Sequence, residues 1–244
     1  MRVLVTNDDG IGSEGLRALI DALSGAHEVW TFAPEAERSG VSHALTLASP
    51  SAVRRLGQRE YSCSGTPADC VILVSLGAIE FHPEVVVSGI NRGPNLGTDI
   101  VYSGTCAAAR EAVLCGLPGI AVSCASSREP FLYRTAASFV ARNLESLASA
   151  GGGSAFINVN APSSDDDRRD AVWCLPCERV YRNAIATFEA PDQARYCFLG
   201  GDRPGAREGG SSDYAALREG RIAISPILVQ PQAPAGFRPG VVFD

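Results

Sequence analysis

The chain contains no lysine: all 21 of its basic residues are arginine, in a total of 244 residues. Chemistry that depends on a lysine side chain is therefore excluded. This removes the P-loop with its phosphate-binding lysine, the Schiff-base lysine of pyridoxal phosphate enzymes and the lysine of a receiver-type phosphorylation pocket. A protein of this composition that handles phosphate has to use a metal ion, arginine, helix N-termini or backbone N–H groups.

Long apolar runs and an excess of positive charge are also missing. No apolar run is long enough to cross a bilayer, and Arg2 is followed at once by a short apolar stretch rather than by a secretory signal pattern. The formal charge of −6 and the pI near 5.2 argue against a surface for nucleic acid or anionic membranes. We therefore expect a cytoplasmic protein with no nucleic-acid or membrane partner.

The eight cysteines lack the spacing of a metal site. Cys174 and Cys177 form the one close pair, and neither a second CxxC nor a pair of histidines accompanies it. We expect free thiols that pack as small hydrophobic side chains. The role of Cys174 and Cys177 stays open at this point.

Strand and helix patterns alternate along the first 160 residues. Strands are predicted at 2–6, 28–33, 84–87, 120–122 and 155–159, and helices at 16–23, from Thr66-Pro67 onward, at 105–115 and at 133–147. This alternation predicts an α/β protein, a Rossmann-like three-layer sandwich with a mostly parallel sheet. We expect residues 1–160 to form the catalytic core.

The pattern weakens after residue 160. Segments 178–200 and 220–228 have strand character and are separated by a glycine-rich stretch from Gly200 to Gly210. We expect residues 161–244 to be a C-terminal extension that completes the sheet and carries a β-hairpin for oligomerisation.

The first strand runs directly into an acidic pair, Asp8 and Asp9, followed by Gly10. Two adjacent carboxylates repel each other and raise each other's pKa, so they are stable beside a divalent metal ion or a fixed cationic group. Taken alone, the dipeptide is more typical of a turn with a helix N-cap. Its meaning depends on what else lies at the same edge of the sheet.

Two further oxygen-bearing side chains follow neighbouring strands. Ser39 comes after the second predicted strand, and Asn91 comes after the strand at 84–87. Because parallel sheets bind ligands beyond the carboxyl ends of their strands, we expect Asp8, Asp9, Ser39 and Asn91 to meet there. Such a set of hard oxygen ligands suits Mg²⁺, Mn²⁺ or Ca²⁺ better than zinc or copper. Individually, Ser39 is also typical of a loop cap, and Asn91 of a turn.

These motifs together resemble the SurE family, the stationary-phase survival proteins that are metal-dependent nucleotide phosphatases. The stretches that carry the resemblance are Thr6–Gly10, Arg38–Gly40, Gly65–Cys70, the highly specific run VSGINRGPNLGTDIVYSGT from Val87 to Thr105 and, more weakly, segments around Tyr181, 196–201 and 213–228. In that family the metal is held at the positions of Asp8, Asp9, Ser39 and Asn91.

The resemblance implies a phosphomonoesterase that hydrolyses nucleoside monophosphates, a 5′-nucleotidase, and extends the expectation to 3′-nucleotides and short polyphosphate. It implies one divalent ion per subunit, Mg²⁺ or Mn²⁺, and a homodimer or homotetramer built through the C-terminal part. A non-catalytic, metal-dependent nucleotide-binding module is the alternative. A receiver-like signalling domain is a weaker one, because the chain has no lysine.

The chemistry of such a hydrolysis leads us to assign roles to residues. We expect Asp8 to act as base or orienter of the attacking water and Asp9 chiefly as a metal ligand, with direct attack on phosphorus by Asp8 left open. A glycine-rich loop enters a helix at residues 103–105, where N–H groups and hydroxyls hold phosphate without lysine, although such residues also serve as simple helix caps. The candidates for phosphate and substrate binding are Asn7, Gly40, Asn95, Ser103, Gly104 and Thr105.

Overall fold

A nine-stranded sheet with helices on both faces forms the body of the protein. The computed structural model describes residues 1–202, 204–207 and 210–232. The strands are β1 (Arg2–Thr6), β2 (Glu28–Pro34), β3 (Val53–Arg55), β4 (Glu60–Cys63), β5 (Val85–Arg92), β6 (Gly119–Ala125), β7 (Ala155–Pro162), β8 (Ala171–Trp173), β9 (Arg179–Val180), β10 (Asn183–Glu189), β11 (Arg195–Gly201), β12 (Gly205–Ala206) and β13 (Ile222–Leu228). The helices are α1 (Glu14–Ser24), α2 (Pro67–Ser75), a 3₁₀ helix (Gly97–Val101), α3 (Gly104–Leu114), α4 (Arg134–Ala150) and α5 (Asp213–Arg218).

The strand order of the main sheet is β3-β4-β2-β1-β5-β6-β7-β13-β8. The six consecutive strands β4, β2, β1, β5, β6 and β7 are parallel to one another. Strand β13 runs antiparallel to β7, and β3 runs antiparallel to β4. The chain adds β2 on one side of β1 and later adds β5 on the other. The crevice beyond the carboxyl end of β1 is therefore a topological switch point, where such sheets bind ligands. The predicted α/β fold with a mostly parallel sheet is confirmed.

Three layers result because successive side chains of a strand point to opposite faces of the sheet. Val3 and Val5 of β1 join the core beneath α1 and α4, and Leu4 joins the core beneath α2 and α3. Burial on both faces explains why the central strands are apolar almost without interruption. Polar residues at their carboxyl ends, such as Thr6 in β1 and Asn91 in β5, lie at the edge where the site is found.

Strand β5 is longer than predicted, because it continues past residue 87 to Arg92. Its pairing with β6 shifts register between Ser88 and Asn91. Gly89 has φ +144°, and a Cβ there would lie 2.3 Å from the Val122 carbonyl oxygen, so only glycine fits this irregular step. Asn91 therefore lies within the last residues of β5 and not in a loop after it.

The two residues of β9 fall inside the segment 178–200 that was predicted to have strand character. Five other short elements were not predicted: β3, β4, β8, β12 and α5. Each is too short to show a periodic pattern, and β3 is exposed along its whole length. Tertiary pairing, rather than local sequence, sets their positions.

The C-terminal part adds strands β13 and β8 to the main sheet and projects the β10–β11 hairpin, whose residues are all exposed. This agrees with the predicted hairpin extension. The predicted boundary at residue 160 falls inside β7, which ends at Pro162. The division into a catalytic core and an oligomerising extension stays a prediction, and residues 233–244 of that extension lie outside the described residues.

All eight cysteines are free thiols, and six of them are buried, as expected for small hydrophobic side chains. Burial, together with Asp213, raises the pKa of the Cys177 thiol to about 12. Among the described residues, no three His, Cys, Asp or Glu side chains cluster as metal ligands. In the same part of the chain, no helix has the length and apolar character needed to span a membrane.

Candidate active site

The two carboxylates of the acidic pair have different neighbours. Asp9 accepts hydrogen bonds from the Arg92 backbone N–H (3.1 Å) and from Arg92 Nε (3.2 Å). Asp8 is 4% exposed and forms no ion pair in the described ranges. An adjacent acidic pair is stable beside a divalent metal ion or a fixed cationic group. The structure supplies Arg92 to Asp9 and leaves Asp8 without a cationic partner among these residues.

Asp8 lies against the N-terminus of α3. The Thr105 hydroxyl donates a hydrogen bond to Asp8 Oδ1, and a Cβ on Gly104 would lie 2.9 Å from Oδ2. Burial raises the pKa of Asp8 to about 6; the hydrogen bond from Thr105 opposes this rise and the charge of Asp9 adds to it. Glycine at 104 thus lets the helix approach a buried carboxylate that is still accessible to ionisation near neutral pH.

Ser39 and Gly40 lie on a loop that is fixed on both sides. The Arg38 backbone N–H donates to the Asp8 carbonyl oxygen (2.7 Å), and the Ser42 backbone N–H donates to the Tyr102 carbonyl oxygen (3.1 Å). The Ser39 hydroxyl donates to Glu37 Oε1 (2.8 Å). The loop is therefore anchored directly to the residues around Asp8.

The asparagines at the end of β5 and in the following loop are held differently. Asn91 Nδ2 donates to the Gly93 carbonyl oxygen (2.9 Å), which turns the amide nitrogen away and leaves Oδ1 as the available atom. Asn95 Nδ2 donates to Ser123 Oγ (2.8 Å), and the Asn95 backbone forms hydrogen bonds with the side chains of Asn158 and Asn160 in β7. A buried polar network therefore fixes Asn95.

Six of the predicted residues line one cleft of about 270 Å³: Asp8, Ser39, Gly40, Asn91, Asn95 and Ser103. Gly104 and Thr105 are buried at the start of α3, where both contact Asp8. Asp9 lines a neighbouring cavity instead, and Arg92 lines both spaces.

Asn7 is fully buried and does not line the cleft. Its Nδ2 donates to the Gly10 carbonyl oxygen (3.0 Å) and to Ser13 Oγ (2.7 Å). Ser13 caps α1. The Asn7 side chain therefore connects the acidic loop to helix α1, which follows it.

Besides Arg92, three cleft residues were not assigned from the sequence: Asp99, Tyr102 and Tyr181. The Tyr181 hydroxyl donates to Asp99 Oδ1 (2.5 Å), and Arg179 Nε lies 2.9 Å from Asp99 Oδ2. The Tyr181 pKa is raised by burial and by Asp99. A strand with arginine before Tyr181 was one of the weaker stretches of the SurE resemblance, so a signal existed, but a contact across 82 residues is not visible in the sequence.

The residues present suit a hard divalent cation. The Asp8 carboxylate is buried and has no cationic partner among the described residues, and the atoms beside it are hydroxyl and amide oxygens. Since no third carboxylate, histidine or thiol joins it in the described ranges, an ion bound here would complete its coordination with water. Zinc prefers thiolate and imidazole ligands, and this set of oxygen donors does not provide them.

Comparisons with known proteins give matches over most of the chain. A family model described as "Survival protein SurE" matches residues 3–183. The chain is 38% identical to the 5′-nucleotidase SurE of Geotalea daltonii, over 93% of this chain and 92% of that protein, and 39% identical to the 5′-nucleotidase SurE of Rubrobacter xylanophilus, over 98% and 95%. The crystal structure of the Sure protein from Aquifex aeolicus superposes with a TM-score of 0.83 at 31% identity and 95% coverage of both chains.

Proposed function

The chain belongs to the SurE family, and from this membership we propose that it is a 5′-nucleotidase, a phosphomonoesterase that hydrolyses nucleoside monophosphates to nucleoside and phosphate. The observation that carries the proposal is the buried Asp8 carboxylate at the N-terminus of α3, with no cationic partner in the described part of the chain. A cation beside this carboxylate would compensate its buried charge, and a helix N-terminus attracts a phosphate dianion. The same cleft can therefore bind both a metal ion and a phosphate group.

We propose one divalent ion per subunit, Mg²⁺ or Mn²⁺, held by Asp8, Asp9, Ser39 and Asn91 together with water. All four side chains offer oxygen, the donor that these ions prefer. When bound, such an ion polarises a phosphate oxygen and acidifies water. Asp9 can bind the ion only if its carboxylate gives up its ion pair with the Arg92 guanidinium, 3.2 Å away.

Asp8 is proposed as base or orienter of the attacking water. The Thr105 hydroxyl occupies Oδ1, so Oδ2 is the oxygen that is available to accept a proton. A pKa of about 6 suits a general base that works near neutral pH. Direct attack by Asp8 on phosphorus is the alternative, and a phosphorylated Asp8 trapped during turnover would support it.

The start of α3 is the proposed phosphate site. Ser103 Oγ accepts a hydrogen bond from the Cys106 backbone N–H (3.0 Å), so its own hydroxyl hydrogen remains available to a phosphate oxygen. The Gly104 N–H and the helix dipole add positive potential without lysine. Gly40 and Asn95, which line the same cleft, are the further proposed substrate contacts.

Phosphate release from a panel of 5′- and 3′-nucleotides and short polyphosphate tests the proposal, with chelator and then with Mg²⁺ or Mn²⁺ restored. We expect release from nucleoside 5′-monophosphates that the chelator abolishes and the metal restores. Nucleotide binding without turnover would instead support the non-catalytic binding module. No metal-restorable release anywhere between about pH 5 and pH 9 would contradict the enzyme assignment, since metal-bound water and carboxylates titrate in that range.

We also propose a homodimer or homotetramer that assembles through residues 161–244. The β10–β11 hairpin supports this, because its large apolar residues Ile185, Phe188, Phe198 and Leu199 are 54–84% exposed. The cytoplasmic location and the absence of nucleic-acid and membrane partners stay predictions from charge and composition.

A further inference from the structure

A large cavity lies next to the proposed phosphate cleft. It has a volume of about 830 Å³, within the roughly 300–1,000 Å³ typical of small-molecule sites. The cleft itself, at about 270 Å³, is below that range. Arg92 lines both spaces, so they adjoin at this side chain. A phosphate fits the smaller space, whereas an organic group attached to it needs the larger one.

We propose that this cavity binds the nucleobase of the substrate and favours bases that carry an exocyclic amino group, namely adenine, guanine and cytosine. The inference rests on the 5′-nucleotidase function proposed above. It concerns residues that take no part in the chemistry: Phe131, Tyr133, Glu14 and Glu129.

The charge of the cavity decides which end of a nucleotide enters it. Asp9, Glu14, Glu35 and Glu129 line its walls against the single cation Arg92. Such walls repel a phosphate dianion, whereas the N-terminus of α3 in the adjoining cleft attracts one. The substrate is therefore oriented with its phosphate toward Ser103 and its uncharged base toward the acidic cavity.

An aromatic pair gives the cavity a surface for a planar base. The Phe131 and Tyr133 rings are stacked, with centroids 6.3 Å apart and planes inclined by 17°. Tyr133 is 8% exposed and supports the pair from the core, whereas Phe131 is only partly buried and lines the cavity. Stacking on an aromatic side chain is worth about 1–3 kcal/mol per base in nucleic-acid complexes, or about 5- to 150-fold in affinity.

Two carboxylates supply the preference among bases. Glu14 and Glu129 are exposed at the cavity wall and form no ion pair with any described residue, while Glu35 is paired with Arg54 at 2.5 Å. A carboxylate only accepts hydrogen bonds, so it pairs with an amino group and repels the carbonyl oxygen that uracil has in the same place on the ring.

A second cavity also adjoins the cleft but suits a base less well. It has a volume of about 540 Å³ and shares Asp99 with the cleft. Its one aromatic ring, Tyr214, is covered by the Arg179 guanidinium, 5.6 Å from the ring centroid. Because a cation already occupies one face of this single ring, whereas the other cavity offers a stacked aromatic pair, we assign the base to the cavity with Phe131.

Steady-state kinetics of AMP, GMP, CMP, UMP and ribose 5-phosphate test the inference, in the full-length protein with saturating metal. For the wild type we expect CMP to have a kcat/KM about tenfold above UMP, and all amino-bearing nucleotides to exceed ribose 5-phosphate. Phe131→Leu keeps apolar packing but removes the ring. It should lower kcat/KM for every nucleotide about tenfold and leave ribose 5-phosphate within twofold.

Glu129→Gln and Glu14→Gln test the selectivity, because the amide of glutamine donates to the uracil O4 as well as accepting. The CMP to UMP ratio should fall toward one, while Glu80→Gln, an exposed control elsewhere, leaves it unchanged. Equal use of ribose 5-phosphate and nucleotides by the wild type, or loss of nucleotide preference in Tyr214→Leu but not in Phe131→Leu, would overturn the assignment.

Calorimetric titration of the protein with cytidine and uridine separates this inference from the proposed activity. Cytidine binding that Phe131→Leu weakens supports the base site even if no substrate is hydrolysed, in which case the phosphatase assignment alone fails. If all substrates are hydrolysed with no dependence on the base or on Phe131, the phosphatase assignment stands and the base site is refuted.

Discussion

Asp8 and Asp9 are adjacent in the chain, yet the fold gives each a different electrostatic problem. Asp9 is balanced by Arg92 at 3.2 Å, whereas Asp8 is buried beside Thr105 with no cationic partner in the described ranges. At the scale of single residues, charge compensation therefore separates the two carboxylates. Both are needed for the proposed metal site, but their removal should affect stability in different ways.

Replacing Asp9 by asparagine should abolish activity and leave the fold intact. The variant loses one carboxylate of the proposed metal set, and we expect kcat/KM to fall by at least about 100-fold, beyond the 10- to 100-fold typical of groups outside the coordination sphere. Calorimetric titration with Mg²⁺ or Mn²⁺ measures the expected loss of metal binding, and circular dichroism checks that the fold is intact. Asp21→Asn, an exposed change on α1, is the matched control. Retention of most activity would place the metal elsewhere.

Replacing Asp8 by asparagine should stabilise the metal-free protein at neutral pH while removing activity. The pKa of Asp8 is raised from 3.8 to about 6, so the folded state binds the proton more tightly than the unfolded state. The free energy of unfolding of the wild type therefore falls as pH rises from about 4 through 6. Asparagine avoids this loss, a gain of about 2–3 kcal/mol at pH 7 that shrinks toward zero near pH 4.

Urea unfolding in chelator at several pH values measures this difference between the Asp8→Asn variant and the wild type. Saturating metal should remove or reverse it, because the ion compensates the charge of the wild-type carboxylate. A variant that is less stable than the wild type in chelator at pH 7 would show that the buried Asp8 charge is already compensated within the protein.

At the scale of elements, the site depends on how closely α3 approaches the end of β1. A Cβ at Gly104 would lie 2.8 Å from Asp8 Cβ and 2.9 Å from Oδ2, distances at which the carboxylate has to move. This contact explains why a glycine opens the helix, where alanine would have the better helix propensity.

Gly104→Ala should therefore lower kcat/KM by about 10- to 100-fold, since small displacements of reacting groups have costs of this size. Its melting temperature should also fall, because the new methyl group meets Asp8 Cβ at 2.8 Å and such overpacking costs about 1–3 kcal/mol, more than alanine gains in helix propensity. Activity assays and thermal unfolding test this, with Gly25→Ala as control, since nothing lies within 4 Å of a Cβ at Gly25. Full activity in Gly104→Ala would mean that the Asp8 carboxylate need not keep its position.

The sequence predicts elements whose pattern is long and local, and misses those that tertiary contacts define. β1, β2, α3 and α4 follow from apolar periodicity and capping residues. The extension of β5 was missed because Gly89 interrupts the strand pattern, although pairing with β6 resumes at Asn91. The rule that selected Asn91, polar residues at the carboxyl ends of parallel strands, also applies to Ser123, Asn158 and Asn160, whose network fixes Asn95.

Local sequence could not reveal how the acidic pair is neutralised or what faces the cleft from far along the chain. The bond between Asp9 and Arg92 spans 83 residues, and the bond between Tyr181 and Asp99 spans 82. Such contacts depend on the order of strands in the sheet and on where short segments such as β9 lie. Convergence of Asp8, Ser39 and Asn91 on one cleft was predictable because it follows from strand ends alone.

At the scale of the whole molecule, the β10–β11 hairpin stands out because both of its strands are exposed to solvent. Its residues are all exposed, and a two-stranded ribbon is marginally stable on its own in water. Phe188, Tyr196 and Phe198 stack on one face, whereas Ile185 and Leu199 lie opposite each other on the other face. A second subunit that covers the hairpin would remove this apolar surface from water.

Because Phe198 and Leu199 are neighbours on β11, they point to opposite faces of the hairpin, and single substitutions can tell which face the partner covers. We expect light scattering to give the wild type two or four times the chain mass of 25.6 kDa. Arginine on the covered face, as Phe198→Arg or Leu199→Arg, should lower that mass, because it buries an unpaired charge in the interface. Leu76→Arg, an exposed site outside the hairpin, should not. A monomeric wild type, or unchanged mass in both hairpin variants, would remove the hairpin from the assembly.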